Sequence, residues 1–475
     1  MCRHNNCQHW TQHRNNMKTI WAKRALTSNG WQNDVVVEID SSGHISSVKT
    51  DVSKTSLGAD VYRCGVLCPA PANIHSHAFQ RAMAGMTERR GSDPGDNFWA
   101  WRKLMYRFLD QLTPDDIETI AAFVQMEMLE AGYAANTEFH YMHHQNDGTP
   151  YDNIAELSGR IAAAAQESGI GLTLLPVLYE QGGCDGRALG QGQLRFGNTI
   201  DRFEKLLVGA AKLLPSLPAD ARLGTAPHSL RAVSREALSD VISLRPDDVV
   251  HMHLAEQLGE VDEVLSSYGA RPVEWLFDHH DVNERWCLIH LTQMQPHETI
   301  AVAKSKAIAG LCPITEANLG DGIFDAVRYF EHEGRFGVGS DSNIRISLAE
   351  ELRSLEYSQR LIHRARAVLA TEDISNGRAL FGGVLQGGAQ ASGRHSGVIE
   401  AGRLADMLAL DSDHIDVLGR EGDMVLDSFI FAGDKKMITD VWSAGRHLVK
   451  EGSHLKHDSI TANYRACIAS LKERL

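Results

Sequence analysis

The segment from Pro71 to Gly85, PANIHSHAFQRAMAG, places His75 and His77 one residue apart at the end of the apolar run GVLCPAPANI (65–74). In an extended strand, residues i and i+2 share a face, so both imidazoles point to the same side. Seven further apolar runs follow: ANTEFHY, GIGLTLLPVLYE, RLGTAPHSL, DVVHMHLAE, RWCLIHLT, AIAGLCPI and FGVGSDS. Helical patterns such as PDDIETIAAFVQMEMLEAGY (114–133) and YDNIAELSGRIAAAAQESG (151–169) lie between them. Strand candidates alternating with helices predict an α/β protein built on a parallel (β/α)8 TIM-like barrel. A doubly wound sheet shares this rhythm, but the phosphate-binding GxGxxG after the first strand is missing.

The two ends of the chain read differently. DVVVEIDSSGHISSVKT (34–50) is a hairpin pattern, with Val35, Val37 and Ile39 alternating before a Ser-Ser-Gly turn. ADMLALD, DSFIFAG and ITDVWSAGRHLVKEG read as short strands near the other end. Each end alone has too few strands to stand by itself, so the two are expected to pair in one small β-sandwich. The expected organisation is a disordered tail over 1–16, the sandwich's first part over 17–67, the barrel over 68–395, the sandwich's second part over 396–455 and a helix over 456–475. MCRHNNCQHWTQHRNN (1–16) has no apolar stretch of the secretory kind, and Met17 is an alternative start.

Of the 475 residues, 43% are hydrophobic and 23% charged, as in ordinary globular proteins. No apolar run approaches the roughly 20 residues of a membrane helix. A formal net charge of −14 argues against nucleic acid or an anionic membrane as partner, though local arginines can still bind a small anion. The eight cysteines form no CxxC pair and read as reduced thiols of a cytoplasmic protein.

Chemistry-bearing residues gather at the predicted strand ends, where barrel active sites lie. His75 and His77 end the first run, His228 and Arg231 follow the fourth, and His251, His253 and Glu256 end the fifth. His290 ends the sixth and Asp341 the eighth. A single histidine at a strand end is more often structural. Histidines on strands 1, 5 and 6 with an aspartate on strand 8 suit a borderline cation such as Zn²⁺, leaving a position for water.

These residues, with NIHSHAFQRAMAG, FWAWRKLMYRF, EFHYMHH, APHSLRAV, HMHLAEQ, CPITEANLGDGIF and GVGSDSNIRIS, resemble the amidohydrolase superfamily. Within it the chain is similar to the bacterial formimidoylglutamate deiminase family, from about Trp21 to Gly452. HxH and GSD mark only the superfamily; HAFQRAM, FHYMHH and TEANLGDGIF are more specific. The sequence departs from the family where PAPA replaces Pro-Gly-Met, where GYAANTEF is more polar than expected, and where Asn343 replaces a frequent histidine.

The resemblance implies that His75, His77, His253 and Asp341 hold one Zn²⁺ or another divalent ion, which can lower the pKa of water to about 7. It implies catalytic roles for Glu256 as proton shuttle, His290 as base or electrostatic orienter, and Asp341 as proton carrier. The implied substrate is a small dicarboxylate amidine, N-formimidoyl-L-glutamate, hydrolysed to N-formyl-L-glutamate and ammonia in histidine breakdown. Gln80, Arg102, Tyr141, His228 and Arg231 are its implied contacts. His251 is expected in the core. The aromatics around Arg102 are expected to be helix core without chemistry, and TEANLGDG (315–322) to form a pocket wall. A homodimer is expected from the family. The rival readings are an aminohydrolase for a purine, pterin or guanidino compound, and a metal-binding scaffold without catalysis.

Overall fold

The computed structural model describes residues 19–88 and 98–474, so the expected tail over 1–16 and the alternative start at Met17 lie outside the described residues. The chain opens with β1 (Thr19–Thr27), β2 (Gly30–Ile39), β3 (Ile45–Lys49) and β4 (Tyr62–Pro69). Short strands then alternate with helices: β5 (Ala72–Ser76), β6 (Ala135–His140), β7 (Gly171–Leu178), β8 (Arg222–Leu223), β9 (Ala226–Pro227), β10 (Val250–Leu254), β11 (Trp286–His290), β12 (Ile308–Leu311) and β13 (Arg335–Val338). The chain closes with β14 (Met407–Leu410), β15 (Ile438–Ser443), β16 (Arg446–Lys450), β17 (Ser453–His454) and a helix over His457–Arg474.

Two parallel sheets form the barrel, β5-β6-β7-β8 with β9 on β7, and β10-β11-β12-β13. Single bridges join them, Thr225 to Val250 on one side and Ser76 to Asp341 on the other. Ile74, Ala135, Cys287, Ile289 and Ile308 pack as one apolar cluster between these sheets. The helix Pro114–Glu130 shows why the helical pattern wins outside the strands. Thr113 and Asp116 cap its first turn reciprocally, and Pro114 occupies a position whose N–H would have no helical partner.

Both chain ends share one eight-stranded sheet, in the order β17-β16-β15-β14-β4-β1-β2-β3. Ile20, Val35, Val37, Ile45, Leu67, Met407 and Trp442 give it a core of its own. The run GVLCPAPANI divides between the two bodies, β4 entering this sheet and β5 the barrel. DSFIFAG differs from its expected strand form: it ends a helix, Met424–Phe431. The apolar residues Val425, Leu426, Phe429 and Ile430 recur at helical spacing and are all buried, which the shorter window hid. No helix among the described residues is long and apolar enough to cross a membrane.

A buried ion cluster ties the sheet to the barrel at the end opposite the histidines. Arg394 pairs with both oxygens of Asp406, at 2.9 and 3.0 Å, and with Asp220 at 2.9 Å. Arg446 of β16 reaches Asp220 at 2.6 Å. Gly171 makes room, since a Cβ there would lie 2.6 Å from the Arg394 guanidinium. Removing one member of a buried ion pair strands the other charge, so Arg394→Met is expected to cost about 3–5 kcal/mol in urea unfolding. Burial alone would raise the Asp220 carboxyl, but Arg394 and Arg446 hold it well below its ordinary range. Its stabilisation is therefore complete above the ordinary carboxylate pKa and is lost as pH falls below it. The stability gap between the wild type and Asp220→Asn should shrink on acidification from neutral pH, read by urea titration across that range.

Candidate active site

The four expected ligands and the expected catalytic His290 all stand at C-terminal ends of strands: His75 in β5, His77 just past it, His253 in β10, His290 in β11 and Asp341 after β13. The His75 and His77 rings are 4.6 Å apart, and His253 lies 4.8 Å from His75 and 5.5 Å from His77. Asp341 Oδ1 is 3.2 Å from His77 Nε2 and 3.5 Å from His75 Nε2. His75, His253, His290 and Asp341 each offer a donor atom within 4.8 Å of the others. The gathered set thus includes His290 as well as the four expected ligands, with His77 joined to it through Asp341.

The barrel seam makes this convergence. Asp341 N–H donates to the His75 carbonyl and His77 N–H donates to the Asp341 carbonyl, both at 2.9 Å. Gly339 allows the approach, because a Cβ there would fall 2.7 Å from His75 backbone atoms. Polar side chains lace the seam: Asn73 donates to Ser340 Oγ at 2.6 Å, Ser340 donates to Asn343 Oδ1 at 2.6 Å, and Asn343 donates to Ser76 Oγ at 3.1 Å. Asn343 therefore fastens the seam through its amide. Asp341 (φ 45°) and His290 (φ 74°) both hold left-handed backbone, a strained choice characteristic of functional sites.

Protonation follows from the partners. His77 Nδ1 donates to the Phe139 carbonyl at 3.0 Å, and His253 Nδ1 donates to the His228 carbonyl at 3.1 Å. A carbonyl only accepts, so each ring carries its proton on Nδ1 and keeps a lone pair on Nε2. Burial lowers the pKa of both and favours the neutral form. His77 Nε2 then sets a lone pair against the Asp341 carboxylate, acceptor against acceptor. Both nitrogens of fully buried His75 lack a hydrogen-bond partner. A divalent cation resolves these conflicts, and imidazole nitrogens with one carboxylate suit a borderline ion.

His290 differs in charge. Burial opposes its protonation, but Glu256, Glu316 and Asp341 outweigh burial and push its pKa up to about 10. Its Nδ1 faces Glu316 at 3.3 Å, and its Nε2 lies 3.9 Å from both Glu256 and Asp341. A charged imidazolium is a poor ligand and a good electrostatic neighbour. Burial raises the Glu256 carboxyl, against the pull of His290 and Arg231. The Glu256 backbone is fixed by Glu260, whose carboxylate accepts from the N–H groups of Ala255 and Glu256.

One cavity joins this centre to the expected substrate contacts Gln80, Arg102, Tyr141, His228 and Arg231. Gln80 donates to Tyr141 Oη at 2.9 Å, leaving its buried Oε1 without a partner. Arg231 lies 4.0 Å from Glu256. Arg102 donates to Tyr179 Oη at 2.7 Å. His251 bonds the Ala391 carbonyl at 2.8 Å and is absent from the lining, as a core residue should be. Trp101 and Tyr106, expected to be helix core, line the cavity instead. Tyr179, Phe196 and Glu316 also escaped the sequence reading. Tyr179 follows the apolar run of β7, a position that could have raised it, and Glu316 lies within the segment read as a wall, in a helix over Pro313–Leu319.

Residues 66–448 match the model of the Amidohydrolase family, and residues 17–57 match the formimidoylglutamate deiminase HutF N-terminal domain. The chain is 46% identical over 440 residues to formimidoylglutamate deiminase of Pseudomonas aeruginosa, covering 92% of this chain and 96% of that one. It is 23% identical to a 5-methylthioadenosine/S-adenosylhomocysteine deaminase of Bacillus cereus, covering 91% and 92%. The crystal structure of an amidohydrolase from Brucella melitensis superposes with a TM-score of 0.91 at 47% identity, covering 95% and 99%. An adenosine deaminase from Xanthomonas campestris with bound zinc shares the fold at a TM-score of 0.80 and 19% identity, covering 96% and 99%.

Gly339→Ala should force the seam apart at His75. The expected outcome is a loss of about 1–3 kcal/mol from overpacking and a 10–100-fold weaker hold on a divalent ion, measured by chemical unfolding and by metal analysis after dialysis against a chelator.

Proposed function

The chain belongs to the amidohydrolase family, and on that premise we propose that it hydrolyses N-formimidoyl-L-glutamate to N-formyl-L-glutamate and ammonia. The observation that carries this reading is a single cavity lined both by the His–Asp centre and by Arg102 and Arg231. A protein of net charge −14 repels a dianion unless specific donors meet it. Planar guanidinium groups suit carboxylates, and a neutral purine would leave both charges without a counterpart. The likeness to the Pseudomonas aeruginosa enzyme supports the same substrate.

His75, His77, His253 and Asp341 would hold the ion, with Zn²⁺ our choice given the nitrogen-rich set and the zinc in the Xanthomonas campestris relative. When bound, such an ion supplies the acidity that makes water a nucleophile near neutral pH. The protein's own groups do the rest. His290 holds the attacking water in place, and Asp341 receives the proton that water gives up. Glu256 faces the amidine and carries a proton to the departing nitrogen, because ammonia leaves well only when protonated. Arg231, beside Glu256, meets the α-carboxylate next to the reacting group. Arg102 donates to Tyr179, whose ring lies 4.6 Å from that of His228, with the His253 ring 4.9 Å beyond. It therefore takes the more distant side-chain carboxylate.

The metal-loaded protein should release ammonia from N-formimidoyl-L-glutamate and far less from S-adenosylhomocysteine, a purine or a guanidino acid; faster turnover of a neutral purine would refute the assignment. Asp341→Asn should lower kcat by at least about 10²–10⁴-fold, the range of a lost acid–base group. Arg231→Met should raise KM by about 10–100-fold, as expected for a charge-assisted hydrogen bond, with a smaller change in kcat, read from steady-state ammonia release.

A further inference from the structure

Tyr179 follows β7 on the barrel rim, is 3% exposed and lines the cavity. Its phenol oxygen lies 2.7 Å from Arg102 Nη2 and 2.8 Å from Gln193 Nε2. A guanidinium can only donate. The Gln193 amide is oriented independently, because its Oε1 accepts from the Gly190 backbone N–H at 2.8 Å. Nε2 therefore faces the phenol as a donor. The Tyr179 oxygen accepts twice, and both its lone pairs are engaged. Its own proton finds no acceptor among the described residues. The flanking rings of Phe196, at 5.6 Å, and His228, at 4.6 Å, hold the phenol in place.

A buried hydroxyl proton without an acceptor is costly unless a ligand supplies one. We infer that Tyr179 is a specificity residue whose O–H donates to the side-chain carboxylate of the substrate, alongside Arg102. The inference rests on the deiminase reading above. It assigns selection for an acidic side chain to a donor oriented in advance by two neighbours. A substrate without that carboxylate leaves the proton unmatched, which is how a polar site rejects an analogue lacking the matching group.

The test compares N-formimidoyl-L-glutamate with N-formimidoyl-L-norvaline, in which a methyl group replaces the side-chain carboxylate. Tyr179→Phe should raise KM for the acid by about 10–100-fold, the range of a hydrogen bond to a charged group, with kcat falling less than about threefold. KM for the norvaline analogue should stay within about twofold of wild type, so the preference between the two substrates collapses. In an Arg102→Met background, Tyr179→Phe should still raise KM for the acid. Equal losses on both substrates, an unchanged KM for the acid, or an effect that vanishes without Arg102 would overturn the inference; the last result would make Tyr179 a mere support for the arginine. Failure of the deiminase reading looks different, since wild type itself would then release no ammonia from N-formimidoyl-L-glutamate, and the inference would fall with it.

Discussion

The backbone pairing of His75 and His77 with Asp341 is the constraint on which the site depends. It closes the barrel between β5 and β13, and it also brings two imidazoles against a carboxylate. Closure and metal geometry are thus one event: the ring cannot be completed without assembling the centre, and the centre cannot spread without opening the ring. Neutral buried imidazoles and an anionic carboxylate would otherwise leave acceptors facing each other, so a cation is built into the logic of closure. Asn73, Ser340 and Asn343 spend their hydrogen bonds on the same seam, which explains why amides and a hydroxyl occupy a region that apolar packing could have filled.

Much of this was legible in the linear chain, because strand ends are where periodicity and chemistry coincide. His75, His253, His290 and Asp341 each close an apolar run, and a parallel barrel sends all such positions to one rim. Tyr179 was not legible, because its importance lies in a count of donors and acceptors involving Arg102 and Gln193, both distant in sequence. Glu316 was hidden for a similar reason: its contact with His290 joins the ends of β11 and β12. The DSFIFAG segment misled because a short β-rich window was read without the Met-Val-Leu (424–426) before it. Local propensity then lost to an amphipathic turn anchored by Phe429 and Ile430.

The electrostatic design is local against a contrary background. Around His290, three carboxylates outweigh burial and favour the charged ring; around His77 and His253, burial wins and favours the neutral one. Residues of one type thus receive opposite charge preferences within a few ångströms. Arg102 and Arg231 place positive charge at two points of the cavity in an otherwise acidic molecule.

The shared sheet has a consequence for biosynthesis. β4 emerges early from the ribosome, but its neighbour β14 lies more than 300 residues downstream. At about 5–20 residues per second, that leaves an open hydrogen-bonding edge waiting for roughly 15–70 s. Such an edge is a template for pairing with other nascent chains. Truncated products that end within the barrel would carry it permanently, so premature termination produces a sticky fragment rather than a smaller enzyme, and the last strands act as a seal on quality as much as a part of the architecture.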